Sequence, residues 1–297
     1  RLSKSLGQNF LIDKNIRDKI VEGSLIGPDD LVIEIGPGVG VLTQLLAEQA
    51  AHIIAIEIDK SLIPILQETL QDFPNTEIIN DDVLRCDLKE LVETHRPKGA
   101  VRFVGNLPYY ITTPIIMKIL EERLPADSIT VMVQKEVAER LAAKPGKKTY
   151  GAITVAVQYY CEVSKVVSAP RDVFYPKPNV DSLVLRLDIR KECPVALLDE
   201  SVFFAVVKAG FGQRRKTLHN ALTGIYGMDK AQTGEALAKA GIDPGKVPGH
   251  VVARPGAELI DQKCPARPQH LVRGGRDGFA HPVRQGGERQ ARQHVIG

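Results

Sequence analysis

Asn106-Leu-Pro-Tyr109 is the run in this sequence best suited to chemistry on an amine. The exocyclic amine of a base such as adenine is a poor nucleophile, because its lone pair is delocalised into the ring. Making it react requires acceptors for its N–H groups and a fixed line of approach to the electrophile. Asn106 offers its side-chain Oδ1 and Leu107 its backbone carbonyl. Pro108 stiffens the chain so that the carbonyl points one way, and Tyr109 offers a ring face to a base turned out of its stack. No strong general base is needed, since the amine becomes acidic as the new bond forms. The plain alternative is a proline-containing turn, and the run does not distinguish DNA from RNA.

Glu34-Ile-Gly-Pro-Gly-Val-Gly40 suits the carrier of the electrophile. Gly36, Gly38 and Gly40 are spaced GxGxG rather than the GxGxxG of dinucleotide sites, and Pro37 removes an N–H that a pyrophosphate would use. The turn therefore favours a nucleoside ligand without a pyrophosphate, such as S-adenosylmethionine, over NAD; a structural strand-to-helix turn is the alternative. Glu57 stands 17 residues beyond Gly40, at the end of the next strand. A carboxylate there accepts from both ribose hydroxyls, or is simply solvated. Asp81-Asp82 follows the third strand, where a carboxylate can take the adenine amine of the ligand between Ile58 and Val83 as apolar walls, or merely cap a turn.

Two further runs flank these. Phe174, in the stiff Asp172-Val-Phe-Tyr-Pro-Lys-Pro-Asn-Val-Asp181, either stacks on the far face of the target base or plugs the core. Arg214, Arg215 and Lys216, placed at a helix start, either neutralise RNA phosphates or form a solvated basic helix end.

The elements that must position these residues follow a βαβ rhythm. Asp13 is expected to cap a helix over 14–24 with Ile16, Ile20 and Val21 on its buried face. Strands are expected at 31–35, 52–57, 77–79, 101–104 and 128–134. Helices are expected at 39–49, after a Ser61 cap, at 112–122 and at 135–143. Ala152–Tyr160 and Ser182–Leu187 read as two late strands with no long helix between them. The whole predicts an α/β fold with a Rossmann-like, mostly parallel doubly wound sheet and an antiparallel edge. Stretches 198–209, 215–222 and 230–240 predict three helices. The expected domains are a catalytic domain over 1–190, a small helical domain over 191–244 and an irregular tail over 245–297. That tail reads either as a basic arm that grips RNA or as an out-of-frame translation.

Composition bounds the classes. Apolar residues make up 43% and charged residues 25%, which suits a soluble globular chain. No apolar run approaches the roughly 18 residues of a membrane helix, and no charged-then-apolar leader opens the chain. Cys86, Cys161, Cys193 and Cys264 form no close pair, against a zinc site and against a disulfide framework, and a reducing cytoplasmic setting is expected with no metal. Residues 1–190 carry 23 Lys+Arg and 26 Asp+Glu, residues 191–297 carry 16 and 10. The basic excess therefore lies in the last third, much of it in the tail.

With these residues in hand, the chain resembles the ribosomal RNA adenine N6-dimethyltransferase family, the KsgA/Dim group. The resemblance spans about residues 3–244. It rests on Leu6-Gly-Gln-Asn-Phe-Leu11, Glu34-Ile-Gly-Pro-Gly38, Asn106-Leu-Pro-Tyr109, Val173-Phe-Tyr-Pro-Lys-Pro-Asn-Val-Asp-Ser182 and Gly210-Phe-Gly-Gln-Arg-Arg-Lys-Thr-Leu218. It implies a class I methyltransferase fold with a small C-terminal helical domain. It implies S-adenosylmethionine as methyl donor, contacted by Asn9, Leu11, Gly36, Glu57, Asp82 and Asn106, and it selects Asp82 over Asp81. It also implies that Phe174 flanks the base. The implied substrate is a pair of adjacent adenosines in a hairpin near the 3′ end of small-subunit rRNA within a pre-30S particle, methylated by a monomer. Three rivals are an enzyme of the macrolide-resistance type acting on a large-subunit adenosine, a catalytically silent RNA-binding assembly factor, and an NAD oxidoreductase. Gly210-Phe-Gly-Gln-Arg-Arg-Lys216 favours the housekeeping enzyme over the first. Intact Asn106, Pro108 and Tyr109 disfavour the second. The GxGxG spacing and the lack of a suitably placed His disfavour the third.

Overall fold

The computed structural model of the protein describes residues 9–95, 97–108 and 110–248. In chain order its elements are β1 (Phe10–Leu11), α1 (Lys14–Ser24), β2 (Leu31–Ile35), α2 (Val41–Ala47), β3 (His52–Ile56), α3 (Ile63–Thr69), β4 (Thr76–Ile79), α4 (Leu88–His95), β5 (Val101–Asn106), α5 (Thr112–Glu121), β6 (Ser128–Gln134) and α6 (Lys135–Leu141). There follow α7 (Ala152–Tyr160), β7 (Cys161–Ala169), β8 (Phe174–Tyr175), β9 (Ser182–Ile189), α8 (Glu200–Gly212), α9 (Leu218–Leu222) and α10 (Lys230–Lys239). Seven strands form one sheet in the order β4-β3-β2-β5-β6-β9-β7. The first five run parallel, and β9 and β7 are antiparallel. This is the Rossmann-like α/β sheet with an antiparallel edge that the sequence rhythm implies. β2 reads as an unbroken apolar run around Glu34 because all five of its residues are buried, with helices covering both faces.

The order reverses between β2 and β5. The chain runs outward from β2 through β3 to the edge strand β4, then returns to lay β5 against the other side of β2. A crevice opens at such a switch point, outside the carboxyl ends of the strands. The glycine turn leaves β2 there and Asn106 ends β5 there, so topology alone brings together two runs about 70 residues apart in the sequence.

Several local expectations need correction. Ala152–Tyr160 is a helix, not a strand. Its β-branched and aromatic content suggests a strand, but Gly151 caps it and Thr154 anchors it: Thr154 Oγ1 accepts from Gly151 N at 3.0 Å and donates to the Arg140 carbonyl at 2.6 Å. Thr154, Ala156, Val157, Tyr159 and Tyr160 are all buried, so packing overrides propensity. The strand beside β9 is Cys161–Ala169, which starts at the next residue. Asp59 rather than Ser61 caps the turn before α3, accepting from Ser61 N at 2.9 Å. Helix α4 and the β1–β8 pair were not expected from the sequence pattern.

α1 forms as expected, with Asp13 Oδ1 accepting from Ile16 N at 2.9 Å. Helices α8 to α10 share a small core of Leu218, Leu222 and Leu237 with Val206, Ala209, Ile225 and Ile242 packed on it. They dock on α7 through Tyr159 and Tyr160 against Phe203 and Phe204, with ring centroids 5.6–5.7 Å apart across that contact. Among the described residues no helix is long and apolar enough to cross a membrane. The tail beyond residue 248 lies outside the described residues.

Candidate active site

A cleft at the switch point is lined by the predicted residues Asn9, Leu11, Gly36, Gly38, Glu57, Ile58, Asp82, Val83, Asn106, Leu107 and Pro108. Their assembly starts with backbone shape. Gly36 and Gly38 sit at φ +68° and +62°, a region that residues with a Cβ rarely adopt. A Cβ on Gly38 would also stand 3.0 Å from the Phe10 ring. Gly36 N donates to the Ile56 carbonyl at 2.9 Å, tying the turn to the end of β3.

Glu57 closes this arrangement. Its Oε2 accepts from Gly38 N at 3.1 Å and its Oε1 from Asp59 N at 2.8 Å. Only 3% of the residue is exposed. Burial pushes its carboxyl above the usual range, opposed by the N–H groups of Asp59 and Gly38. A carboxylate has about four lone-pair sites, so two oxygens held by one backbone donor each still have capacity for a pair of hydroxyls. Asp82 is half-buried and Oδ1 accepts from Leu84 N at 3.0 Å, which fixes its side chain; Asp81 is exposed. Val83 is 5% exposed and Ile58 50%, the latter an apolar surface facing open solvent.

At the end of β5, Asn106 Nδ2 donates to the Asn9 carbonyl at 3.0 Å across 97 residues of sequence. A carbonyl only accepts, so this bond fixes which way the amide faces and leaves Oδ1 as its acceptor end. The Pro108 carbonyl accepts from Ile111 N and Thr112 Oγ1, both at 3.1 Å, which locks the turn to the start of α5. Gly105 makes room for Leu107: a Cβ there would meet the Ile35 carbonyl at 2.8 Å and Leu107 Cδ2 at 2.9 Å. Tyr109 lies outside the described residues.

Two predicted groups sit differently. Phe174 is 3% exposed and packs into the core with Ile16, Ile20 and Val21 rather than lining the cleft. Its pairing with Leu11 in the β1–β8 register explains this, since that pair folds the loop over α1. Arg214, Arg215 and Lys216 lie in the link between α8 and α9, not at a helix start; α9 begins at Leu218, capped by Thr217. Arg214 Nη2 donates to the carbonyls of Lys148 at 2.7 Å and Tyr150 at 2.8 Å. It therefore joins this link to an exposed loop that carries Lys144, Lys147 and Lys148.

The cleft also holds residues that the sequence reading passed over. Tyr110 is 63% exposed at its rim. Arg17 reaches it from α1. Glu34 is 2% exposed, its Oε2 has no hydrogen-bond partner among the described residues, and its carboxyl is pushed up to about 7, by burial first and by Glu57 in addition, with the Thr43 hydroxyl opposing. An acid in a strand otherwise apolar was the available signal for it. A half-buried glycine turn at positive φ, a fixed carboxylate with spare acceptor sites and an orphaned buried acid fit a nucleoside ligand that bears a cationic group.

A family model described as Ribosomal RNA adenine dimethylase matches residues 1–246. The Ribosomal RNA small subunit methyltransferase A of Clostridioides difficile is 54% identical over 243 residues, 82% of this chain and 84% of that protein. The protein of the same name from Geobacillus thermodenitrificans is 55% identical over 245 residues, 81% of this chain and 84% of that protein. Among solved structures, a dimethyladenosine transferase from Plasmodium falciparum superposes with a TM-score of 0.65 at 28% identity, covering 81% of this chain and 85% of that one. The 23S rRNA methyltransferase ErmE gives 0.64 at 30% identity, covering 82% and 95%.

Proposed function

The chain belongs to the ribosomal RNA adenine dimethylase family, which makes it an S-adenosylmethionine-dependent rRNA adenine methyltransferase, and from that premise we propose that it dimethylates N6 of two adjacent adenosines in a 3′-terminal hairpin of small-subunit rRNA. The observation that carries the reading is the Asn106 amide, held by the Asn9 carbonyl at the end of β5 beside the glycine turn of β2. S-adenosylmethionine, when bound, supplies an electrophilic methyl on a sulfonium. Glu57 accepts from its ribose hydroxyls, Asp82 from its adenine amine, and Ile58 and Val83 bracket that ring. Arg17 and Glu34 meet the carboxylate and ammonium of its amino-acid end.

The residues of the chain then act on the target base. Asn106 Oδ1 and the Leu107 carbonyl accept from the N6 amine and turn its lone pair toward the methyl. Pro108 keeps that carbonyl in place. Tyr109 and Tyr110 offer aromatic faces to a base outside its stack. Catalysis is positioning with electrostatic stabilisation, without a strong base.

Residues 1–190 form the methyltransferase part and 191–244 the RNA-contacting part. Arg215, Lys216 and the lysines of the loop that Arg214 holds form a basic surface for the rRNA backbone. We take the substrate to be a pre-30S particle, acted on by a cytoplasmic monomer. The test is methylation of immature 30S particles against naked large-subunit RNA with labelled S-adenosylmethionine, followed by mass spectrometry of the digested rRNA. Dimethyladenosine confined to the small subunit supports the reading, and modification confined to the large subunit overturns it in favour of ErmE-like activity.

A further inference from the structure

At the opposite end of the same sheet, three side chains converge that the methyl-transfer chemistry does not use. His52 opens β3, Glu77 lies in β4 and His95 ends α4. In the parallel register Glu77 stands opposite Ile54, so His52, two residues earlier, shares its face of the sheet. The ligating atoms of all three lie within 4.8 Å of one another. The two imidazoles stack with centroids 4.8 Å apart.

The hydrogen bonds say what the cluster lacks. His95 Nδ1 lies 2.8 Å from the Leu91 carbonyl. A carbonyl only accepts, so Nδ1 carries a hydrogen, and the ring turns Nε2 toward Glu77 Oε2 at 3.0 Å. A proton or a metal ion at that edge is met by Nε2 and Oε2 together. His52 Nε2 is 3.8 Å from the same oxygen, is itself buried, and has no hydrogen-bond partner among the described residues. A metal-binding histidine donates one ring N–H to a backbone carbonyl, as His95 Nδ1 does to Leu91, and turns its other nitrogen to the ion. Two imidazoles and one carboxylate are a ligand set for zinc-type ions, and the open side at the partly exposed Glu77 leaves a water position.

We propose that His52, Glu77 and His95 bind a divalent zinc-type ion that fastens the edge strand β4 to β3 and α4. Neighbouring ligand atoms around such an ion stand roughly 3.3 Å apart, so closing the site takes side-chain shifts of about 1 Å. The site is about 16 Å, the length of β3, from Glu57, so its role is to secure the sheet edge and not to take part in methyl transfer. The four cysteines gave no sign of it, because it contains no thiolate and its ligands are brought together only by strand register.

The test uses the full chain freed of metal by a chelator, with Co²⁺ and Zn²⁺ alone as probes. We expect one equivalent of Co²⁺ to give a visible absorption band that Zn²⁺ displaces. Zn²⁺ at about a hundredfold excess over Kd should raise Tm by roughly 5–10 °C. Glu77→Gln keeps a side chain that can donate to His95 Nε2, so it should fold with an unchanged metal-free Tm and lose at least about a hundredfold in affinity; His95→Gln should do the same to the affinity. The tail carries His250, His270, His281 and His294, so a variant with these four changed to Gln is the control and should keep the band. A folded wild-type chain with no band and no Tm shift overturns the proposal. So does a band that survives Glu77→Gln and disappears with the tail histidines.

Discussion

β3 and β4 have an acid near each end, and the two ends hold their acids by different means. At the carboxyl end Glu57 is 3% exposed and each of its oxygens accepts from a backbone N–H. At the amino end the Glu77 side chain is 46% exposed and is met by two imidazoles, at 3.0 and 3.8 Å. A carboxylate fixed by the backbone is placed by the path of the chain and needs no reorganisation when a ligand arrives. A carboxylate fixed by side chains is placed by rotamers, which can adjust around an ion. The carboxyl end is thus suited to chemistry on a ligand of fixed shape, and the amino end to capture of a small cation.

The largest effect expected tests whether catalysis is confined to the carboxyl end. Asn106→Ala should slow single-turnover methyl transfer by about a hundred- to a thousandfold, ~3–4 kcal/mol, the usual cost of one preorganised polar contact to the reacting group. Tm should hardly move. Glu77→Gln should leave transfer at the wild-type rate, and equal losses in the two variants would erase the division.

Glu34 sharpens the same contrast through pH. Its carboxyl titrates at about 7 in the folded chain against 4.5 when free. Between those values the unfolded chain releases the proton and the folded chain keeps it. The unfolded state therefore binds fewer protons, and stability falls as pH rises from 4.5 toward 7, by up to about 3 kcal/mol. Urea unfolding of the ligand-free protein across that range should show the fall, and Glu34→Gln should flatten it. A profile as steep in the variant as in the wild type would move the effect to another group. Next in size is Glu57→Ala, expected to weaken S-adenosylmethionine by about 1–3 kcal/mol in calorimetry; an unchanged Kd would place the ribose elsewhere in the cleft.

The carboxyl end was largely legible in the sequence because backbone shape has residue signatures there. Gly36 and Gly38 mark a turn with positive φ, Pro108 marks a stiff one, and the spacing from Gly40 to Glu57 marks the next strand end. What could not be read was contact through groups common to all residues. The Asn9 carbonyl that orients Asn106 and the Lys148 and Tyr150 carbonyls that hold Arg214 leave no trace in residue type. Burial misled where the β-branched run of α7 reads as strand, because packing decides its state. For Phe174 the sequence left open a stack on the base or a plug of the core, and burial decides for the core. The amino-end cluster was hidden because strand register, not spacing, joins His52 to Glu77.

The smallest expected effect asks whether the basic link follows the carboxyl-end pattern, with a side chain serving the backbone, or the amino-end pattern, with side chains awaiting a charged ligand. Arg215→Ala removes an exposed charge and should lower the salt slope of RNA binding by about one. Arg214→Lys keeps the charge but replaces a guanidinium that reaches two carbonyls with a single ammonium. If Arg214 serves the loop, the slope should stay unchanged. Amide exchange should quicken at Lys147 and Tyr150, whose N–H groups close the turns of that loop on the carbonyls of Lys144 and Lys147. Loosening the loop spreads Lys144, Lys147 and Lys148 over more conformations, so affinity should fall by only a small factor, the cost of ordering them again on binding. Unchanged exchange with unchanged affinity would show that Arg214 does not hold the loop, and would return it to the set of free phosphate contacts beside Arg215 and Lys216.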